Sequence, residues 1–168
     1  MNRKESDFQY SKVLVISGGH FAHDVYSSFL AVFLPLLITK FELSMTLAAS
    51  FTIFFRLPSL FNPLIGVISD RLDMRRWVIW APAVTAVTMS LTGMAPSYAS
   101  LCILIFVAGI SSSFFHVLAP VMIVRDSGND LGKGMSFWMT AGELARTLGP
   151  LIAVWSVSLW GFEKNFPV

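Results

Sequence analysis

The side chains best suited to chemistry are seven ionisable residues that interrupt long apolar stretches of the sequence. They are His20, His23, Asp24, Arg56, His116, Glu143 and Arg146. A charged group at the centre of a membrane-crossing helix costs roughly 2.5–3.5 kcal/mol, so such groups are expected to face a cavity or one another. Proton transfer suits the histidines, because the unperturbed pKa of histidine is about 6.5.

The closest spacing belongs to His20, His23 and Asp24, which fall at positions i, i+3 and i+4. A helix therefore places them on one face, with Ser27 beside them. This spacing also suits a metal ion, but no fourth ligand is evident, and we expect no metal site. The alternative to a functional role is that the histidines only hydrogen-bond neighbouring helices.

Two acidic and two basic residues among the seven define a transport hypothesis. We predict a polar cavity in which Asp24 or Glu143 binds a proton and Arg56 or Arg146 attracts an anionic substrate. Glu143 and Arg146 are three residues apart, which is also the spacing of an ion pair on a helix surface. The alternative is that these two side chains only neutralise each other.

Composition places the elements that carry these residues in a lipid bilayer. The 168 residues are 55% hydrophobic and 13% charged, whereas soluble domains are roughly 45–50% apolar and about 25% charged. The net charge of +2 and the lack of a basic stripe interleaved with aromatics argue against nucleic acid as a partner. Cys102 is the single cysteine, and no Gly-rich phosphate loop or His-Glu-x-x-His motif occurs, so we expect neither an enzyme nor a cofactor.

Five apolar stretches approach the ~20 residues that cross a bilayer core. They predict an all-α membrane bundle with helices over about 13–39, 46–68, 77–94, 98–124 and 134–160, a leading segment 1–12 and an end segment 161–168. Charged and turn-forming residues separate the helices, as in the polar loop over 126–130.

The distribution of Lys and Arg predicts the orientation of this bundle. If the N-terminus is cytoplasmic, eight basic residues lie inside, namely Arg3, Lys4, Lys12, Arg71, Arg75, Arg76, Arg125 and Lys133. Only Lys40 and Lys164 then lie outside. Cytoplasmic loops are enriched in basic residues, so we expect a cytoplasmic N-terminus in the inner (plasma) membrane.

The loop after the second predicted helix reads Gly66-Val-Ile-Ser-Asp70-Arg71-Leu-Asp73-Met-Arg75-Arg76. It resembles the signature loop of the major facilitator superfamily, in which Gly, Asp-Arg, Gly and a basic cluster follow one another. The resemblance implies a conformational switch built from Gly66, Asp70, Arg71, Arg75 and Arg76. Asp73 stands where the family has Gly, which puts the tight turn in question. The alternative is a basic loop that only sets topology.

Other segments resemble the fosmidomycin resistance protein family. These are the stretch from His20 to Asp24, the Leu-Pro-Leu-Leu run at 34–37 and the stretch from Gly109 to His116. Gly149-Pro150, with small residues around it, is similar to a helix signature of drug–proton antiporters, although a plain packing face accounts for it equally well.

These resemblances imply one half of a twelve-helix transporter. We expect a proton-coupled efflux antiporter for a small organic, drug-like anion of the phosphonate type, with the proton gradient as its energy source. A sugar or organic-acid importing symporter of the same fold is the second reading. The third is an inactive fragment, since five helices are fewer than a six-helix half and the C-terminal half-bundle is missing as a partner.

Overall fold

A computed structural model describes residues 7–71, 73 and 75–164. Residues 1–6 and 165–168 lie outside the described residues, and with them Arg3, Lys4 and parts of both predicted terminal segments. The described residues contain helices and no strand. The predicted all-α class is therefore confirmed.

The helices are α1 (Tyr10–Phe41), α2 (Met45–Arg56), α3 (Asn62–Ser69), α4 (Arg75–Ser90), α5 (Tyr98–Asp126) and α6 (Leu131–Trp160). Short 3₁₀ turns cover Leu57–Phe61, Leu91–Met94 and Phe162–Lys164. The first of these turns joins α2 to α3 in one membrane-length element, Met45–Ser69. Pro58 and Pro63 lie at this junction, where their missing N–H groups favour an irregular turn.

Four elements in the described part of the chain are long and apolar enough to cross a membrane: Tyr10–Phe41, Met45–Ser69, Arg75–Met94 and Tyr98–Asp126. At 30 residues α6 is long enough, but it is not one of the four. Glu143 and Arg146 lie in its middle and make it less apolar. Its place in the bundle is fixed by packing, because α1 makes its most extensive contacts with α6.

Helix α1 is the centre of the bundle and packs against α4, α5 and α6. Two apolar clusters lie along it, one around Phe29 and Phe33 and the other around Val13 and Ile16. The segment from His20 to Asp24 lies between these two clusters. A polar group is thus held in the middle of the bundle by apolar packing on both sides.

Glycines let neighbouring backbones approach this centre. A Cβ on Gly109 of α5 would lie 2.9 Å from the carbonyl carbon of Phe55, and one on Gly149 of α6 would lie 3.0 Å from Val25 O of α1. Both positions therefore require a residue without a side chain. Pro150 follows inside α6, which remains helical through it.

Candidate functional site

The centre of the site is the Asp24 carboxylate, which four basic side chains approach. His23 Nδ1 lies 3.0 Å from Oδ1 and His116 Nε2 lies 3.3 Å from the same oxygen. His20 Nε2 lies 3.3 Å and Arg146 Nε 3.7 Å from Oδ2. The Asp24 side chain is only 7% exposed. We call Asp24 and the three histidines the Asp24 cluster.

Helix α6 fixes the position of His20. The His20 Nδ1–H donates to the carbonyl oxygen of Trp138 at 2.9 Å, and the imidazole stacks on the Trp138 ring with centroids 3.7 Å apart. Gly142, one turn further along, leaves room for this ring, because a Cβ there would lie 2.6 Å from His20 Cε1. Trp138 and Gly142 together form a slot for one imidazole.

Helix α5 supplies the opposite side of the cluster. The His116 Nδ1–H donates to the carbonyl oxygen of Ser112 at 3.0 Å, one turn earlier on the same helix. Phe115 stacks on the fully buried His23 ring with centroids 4.8 Å apart. Aromatic packing and backbone acceptors thus hold all three imidazoles in place around the Asp24 carboxylate.

The backbone acceptors determine where protons are located. A carbonyl oxygen only accepts, so Nδ1 of His20 and Nδ1 of His116 each carry a hydrogen. In the neutral form each ring then directs the lone pair of Nε2 towards the Asp24 carboxylate. Two lone pairs facing an anion repel it, so the cluster needs added positive charge between these atoms.

Arg146 connects the cluster to a second carboxylate. Its Nη1 lies 2.7 Å from Glu143 Oε1, while its Nε faces Asp24. Arg146 is 58% and Glu143 62% exposed. The predicted Glu143–Arg146 pair is present, and the same guanidinium also reaches Asp24, so it does more than neutralise Glu143.

A central cavity of about 430 Å³ opens beside the cluster. Helices α1, α2, α3, α5 and α6 all contribute to its wall, through Asp24, Ser27, Ser28, Phe55, Arg56, Ser59, Asn62, Gly109, Ser112, Ser113, His116 and Arg146. Arg56 is exposed to the cavity, and no acidic side chain among the described residues pairs with it. The cavity therefore offers one free cation and one shared cation to an anionic ligand.

The loop after α3 lines a separate, loop-side cavity of about 420 Å³ together with residues of α4 and α5. Asp73 lies 3.5 Å from Arg75 Nε, whereas Asp70 forms no ion pair within the described part of the chain. Among the described residues, nothing lies within 4 Å of a Cβ placed on Gly66, so no other helix packs closely against this glycine there. Arg71 lines the cavity and Arg76 is exposed. The switch role of this loop stays a prediction.

Sequence reasoning found every charged member of the site but not the residues that orient them. Of the predicted residues, four line the central cavity: Asp24, Arg56, His116 and Arg146. His20 and His23 do not line it and are buried in the bundle. Trp138, Gly142 and the Ser112 carbonyl were missed. A Trp and a Gly four residues apart give a weak signal for an aromatic slot, and no pattern in the sequence assigns that slot to His20.

Comparison with known proteins agrees with this architecture. The family model described as Major Facilitator Superfamily matches residues 16–166. The chain is 26% identical over 147 residues to the fosmidomycin resistance protein of Escherichia coli (strain K12), covering 87% of this chain and 36% of that protein. It is 37% identical over 120 residues to the uncharacterized MFS-type transporter YceJ of Bacillus subtilis (strain 168), covering 69% of this chain and 30% of that protein. No solved structure matches it significantly.

The fold and the comparisons show that the chain is a multi-pass helical membrane protein. The chain belongs to the Major Facilitator Superfamily, a family of membrane transporters. The chain spans about a third of the length of the curated relatives it matches, 36% and 30%.

Proposed function

We propose that this chain forms one wall of a proton-coupled antiporter that exports a small organic anion. The observation that carries the proposal is the Asp24 cluster on the wall of the central cavity. A buried carboxylate contacted by three histidines and an arginine is similar to the intramembrane proton relays built from Asp, Glu and His, so we assign it to proton uptake and release.

The part of the proposal that concerns the substrate rests on the cationic side chains of the central cavity. Arg56 lies on the cavity wall with no acidic partner in the described part of the chain, and Arg146 is shared between Glu143 and Asp24. An anion that binds Arg146 competes with Asp24 for the same guanidinium. The substrate site and the Asp24 cluster are thereby linked through one side chain, Arg146.

Export of an acidic, drug-like compound is supported by the name of one relative, a fosmidomycin resistance protein. In the proposed orientation the N-terminus is cytoplasmic and the membrane is the inner membrane. The loop-side cavity then opens to the cytoplasm, where its basic residues satisfy the positive-inside rule. A second half-bundle completes the substrate site in this proposal, and Asp70 and Arg71 act as switch residues against it.

The test uses inverted membrane vesicles from cells that produce the chain together with the second half-bundle of the E. coli fosmidomycin resistance protein. Respiration acidifies the vesicle interior, and fosmidomycin is then added outside. An antiporter takes up the drug and releases protons, so the interior becomes less acidic. A symporter running with the substrate carries protons inwards, and the signal has the opposite sign.

The matched variants are Asp24→Asn and Glu163→Gln. Asp24→Asn removes the central charge and is expected to abolish the drug-dependent signal. Glu163 pairs with Lys40, away from the cavity, so Glu163→Gln is expected to keep the signal. Vesicles with the second half-bundle alone provide the background. A signal of opposite sign favours the importing symporter, and a signal no larger than this background contradicts transport by this chain.

A further inference from the structure

We propose that His20, Asp24 and His116 form a binding site for a divalent transition-metal ion such as Zn²⁺. Each of the three side chains offers one ligand atom, and these atoms all lie within 4.8 Å of one another. The inference concerns a ligand other than the proton and the substrate anion, and it does not depend on the proposed direction of transport.

Distances around Asp24 favour a metal over direct hydrogen bonds. His20 Nε2 and His116 Nε2 both lie 3.3 Å from carboxylate oxygens. Charge-assisted hydrogen bonds between such groups are shorter, about 2.7–2.9 Å. Ligand atoms about 2.0–2.1 Å from zinc in a tetrahedral arrangement are about 3.3–3.4 Å apart. Each histidine nitrogen therefore lies at the spacing of two ligands on one metal ion from the Asp24 oxygen that faces it, which is Oδ2 for His20 and Oδ1 for His116.

The hydrogen bonds made by Nδ1 of His20 and of His116 leave Nε2 of each ring as the metal ligand. Each Nδ1–H donates to a backbone carbonyl, that of Trp138 for His20 and that of Ser112 for His116. Metal-binding histidines show this pattern, because the second hydrogen bond fixes the tautomer and the ring orientation. His20 Nε2 is buried and has no hydrogen-bond partner among the described residues, so this atom is available to bind a metal ion.

The type of ion follows from the ligands. Two imidazoles and one carboxylate suit zinc and its neighbours, whereas Mg²⁺ and Ca²⁺ take oxygen ligands. Asp24 and His116 also line the central cavity, so a fourth coordination position is open to a water molecule or an anion. This arrangement with three protein ligands is typical of sites where the metal also binds a small molecule.

Arg146 is the competing cation. Its Nε lies 3.7 Å from Asp24, but it also has Glu143 as a partner at 2.7 Å. A metal ion that displaces Arg146 from Asp24 therefore leaves the guanidinium paired. Removal of this competitor is expected to strengthen metal binding, which is a gain that damage to the fold does not produce.

The experiment titrates the purified 168-residue chain in detergent micelles with Co²⁺ and Zn²⁺. Co²⁺ absorption reports tetrahedral nitrogen and oxygen ligation, and Zn²⁺ is measured by displacement of Co²⁺. The variants are His20→Asn, His116→Asn and His23→Asn. An Asn amide nitrogen replaces the Nδ1 donor and removes Nε2, so each variant keeps the local hydrogen bond and loses one potential ligand.

We expect one ion per chain, at least hundredfold weaker binding in His20→Asn and His116→Asn, and a change below about tenfold in His23→Asn. Cys102→Ser is expected to bind as the parent chain does, since Cys102 is buried outside the cluster. Arg146→Gln is expected to bind the metal ion severalfold more tightly.

The proposal is overturned by a parent chain without one-to-one binding, by equal losses of metal affinity in all three histidine variants, or by no gain of affinity in Arg146→Gln. In any of those outcomes the Asp24 cluster is not a metal site.

Discussion

The central cavity and the loop-side cavity have almost the same volume, about 430 and about 420 Å³, and both are lined by Asp and Arg side chains. Their carboxylates differ in burial. Asp24 is 7% exposed and lies among groups from α1, α5 and α6. Asp73 is 73% exposed and pairs with Arg75, two residues away, which is itself 60% exposed.

This difference in burial determines how strongly the stability of each carboxylate charge depends on neighbouring protein groups. In the centre, the Asp24 side chain is 7% exposed, so its charge depends mainly on its protein partners. In the loop, water screens the Asp73–Arg75 pair, and such pairs contribute about 0–1 kcal/mol. We infer that the centre is assembled to hold charge, whereas the loop is available to a partner element that the described residues do not provide.

The largest expected difference is in stability, between Asp24→Asn and Asp73→Asn. Loss of the buried charge leaves the buried His20 and His23 side chains without their common partner, and we expect a decrease of about 3 kcal/mol in the free energy of unfolding. The exposed substitution is expected to change it by less than about 1 kcal/mol. Unfolding in mixed detergent micelles, followed by helical circular dichroism, measures both. Equal changes in the free energy of unfolding for the two variants would contradict the difference between the two carboxylates.

A smaller effect is expected from Gly142→Ala, which fills the slot for His20. The added methyl group would lie 2.6 Å from His20 Cε1, and the stacked Trp138 ring limits the movement of the imidazole. Overpacking of this kind costs about 1–3 kcal/mol. Gly132→Ala is the matched control in the first turn of α6, because nothing lies within 4 Å of its Cβ, and we expect a change below about 0.5 kcal/mol. The same unfolding assay should therefore separate the two variants, and a stabilised Gly142→Ala would contradict the slot.

The smallest effect is expected on substrate affinity. Arg56 is on the wall of the central cavity, and Arg71 is on the wall of the loop-side cavity. We expect Arg56→Gln to weaken binding of the phosphonate used in the transport assay about tenfold, which corresponds to about 1.4 kcal/mol. Arg71→Gln should leave the equilibrium affinity within about twofold. Titration calorimetry on the paired half-bundles measures this, and a larger loss in Arg71→Gln would place the anion in the other cavity.

Much of the fold could be predicted from the sequence, because hydrophobic segments of bilayer length can only be helices in lipid. The ionisable residues of the site could be predicted for the same reason, since a charge in such a segment is costly without a function. The membrane-length element formed by α2 and α3 was predicted as one helix, and its prolines give the reason for the 3₁₀ turn inside it.

The pairing of these residues could not be predicted. The i, i+3, i+4 spacing groups His20 with His23 and Asp24, yet the atoms best placed for a metal belong to His20, Asp24 and His116. His116 is 92 positions further along the chain than Asp24, and no local pattern records which helix faces which. The sequence therefore did not reveal that His116 lies beside Asp24, and without a ligand beyond His20, His23 and Asp24 there was no reason in the sequence to expect a metal.

The sequence by itself determined that the chain is a membrane bundle with charges in its interior, because hydropathy and charge are properties of each segment alone. The tertiary structure decided which charges meet. It placed His116 opposite His20, gave His20 a slot between Trp138 and Gly142, and directed two imidazole lone pairs at one carboxylate. The physical reason is that these contacts depend on how helices pack side by side, and that packing is set by interactions between residues far apart in the chain.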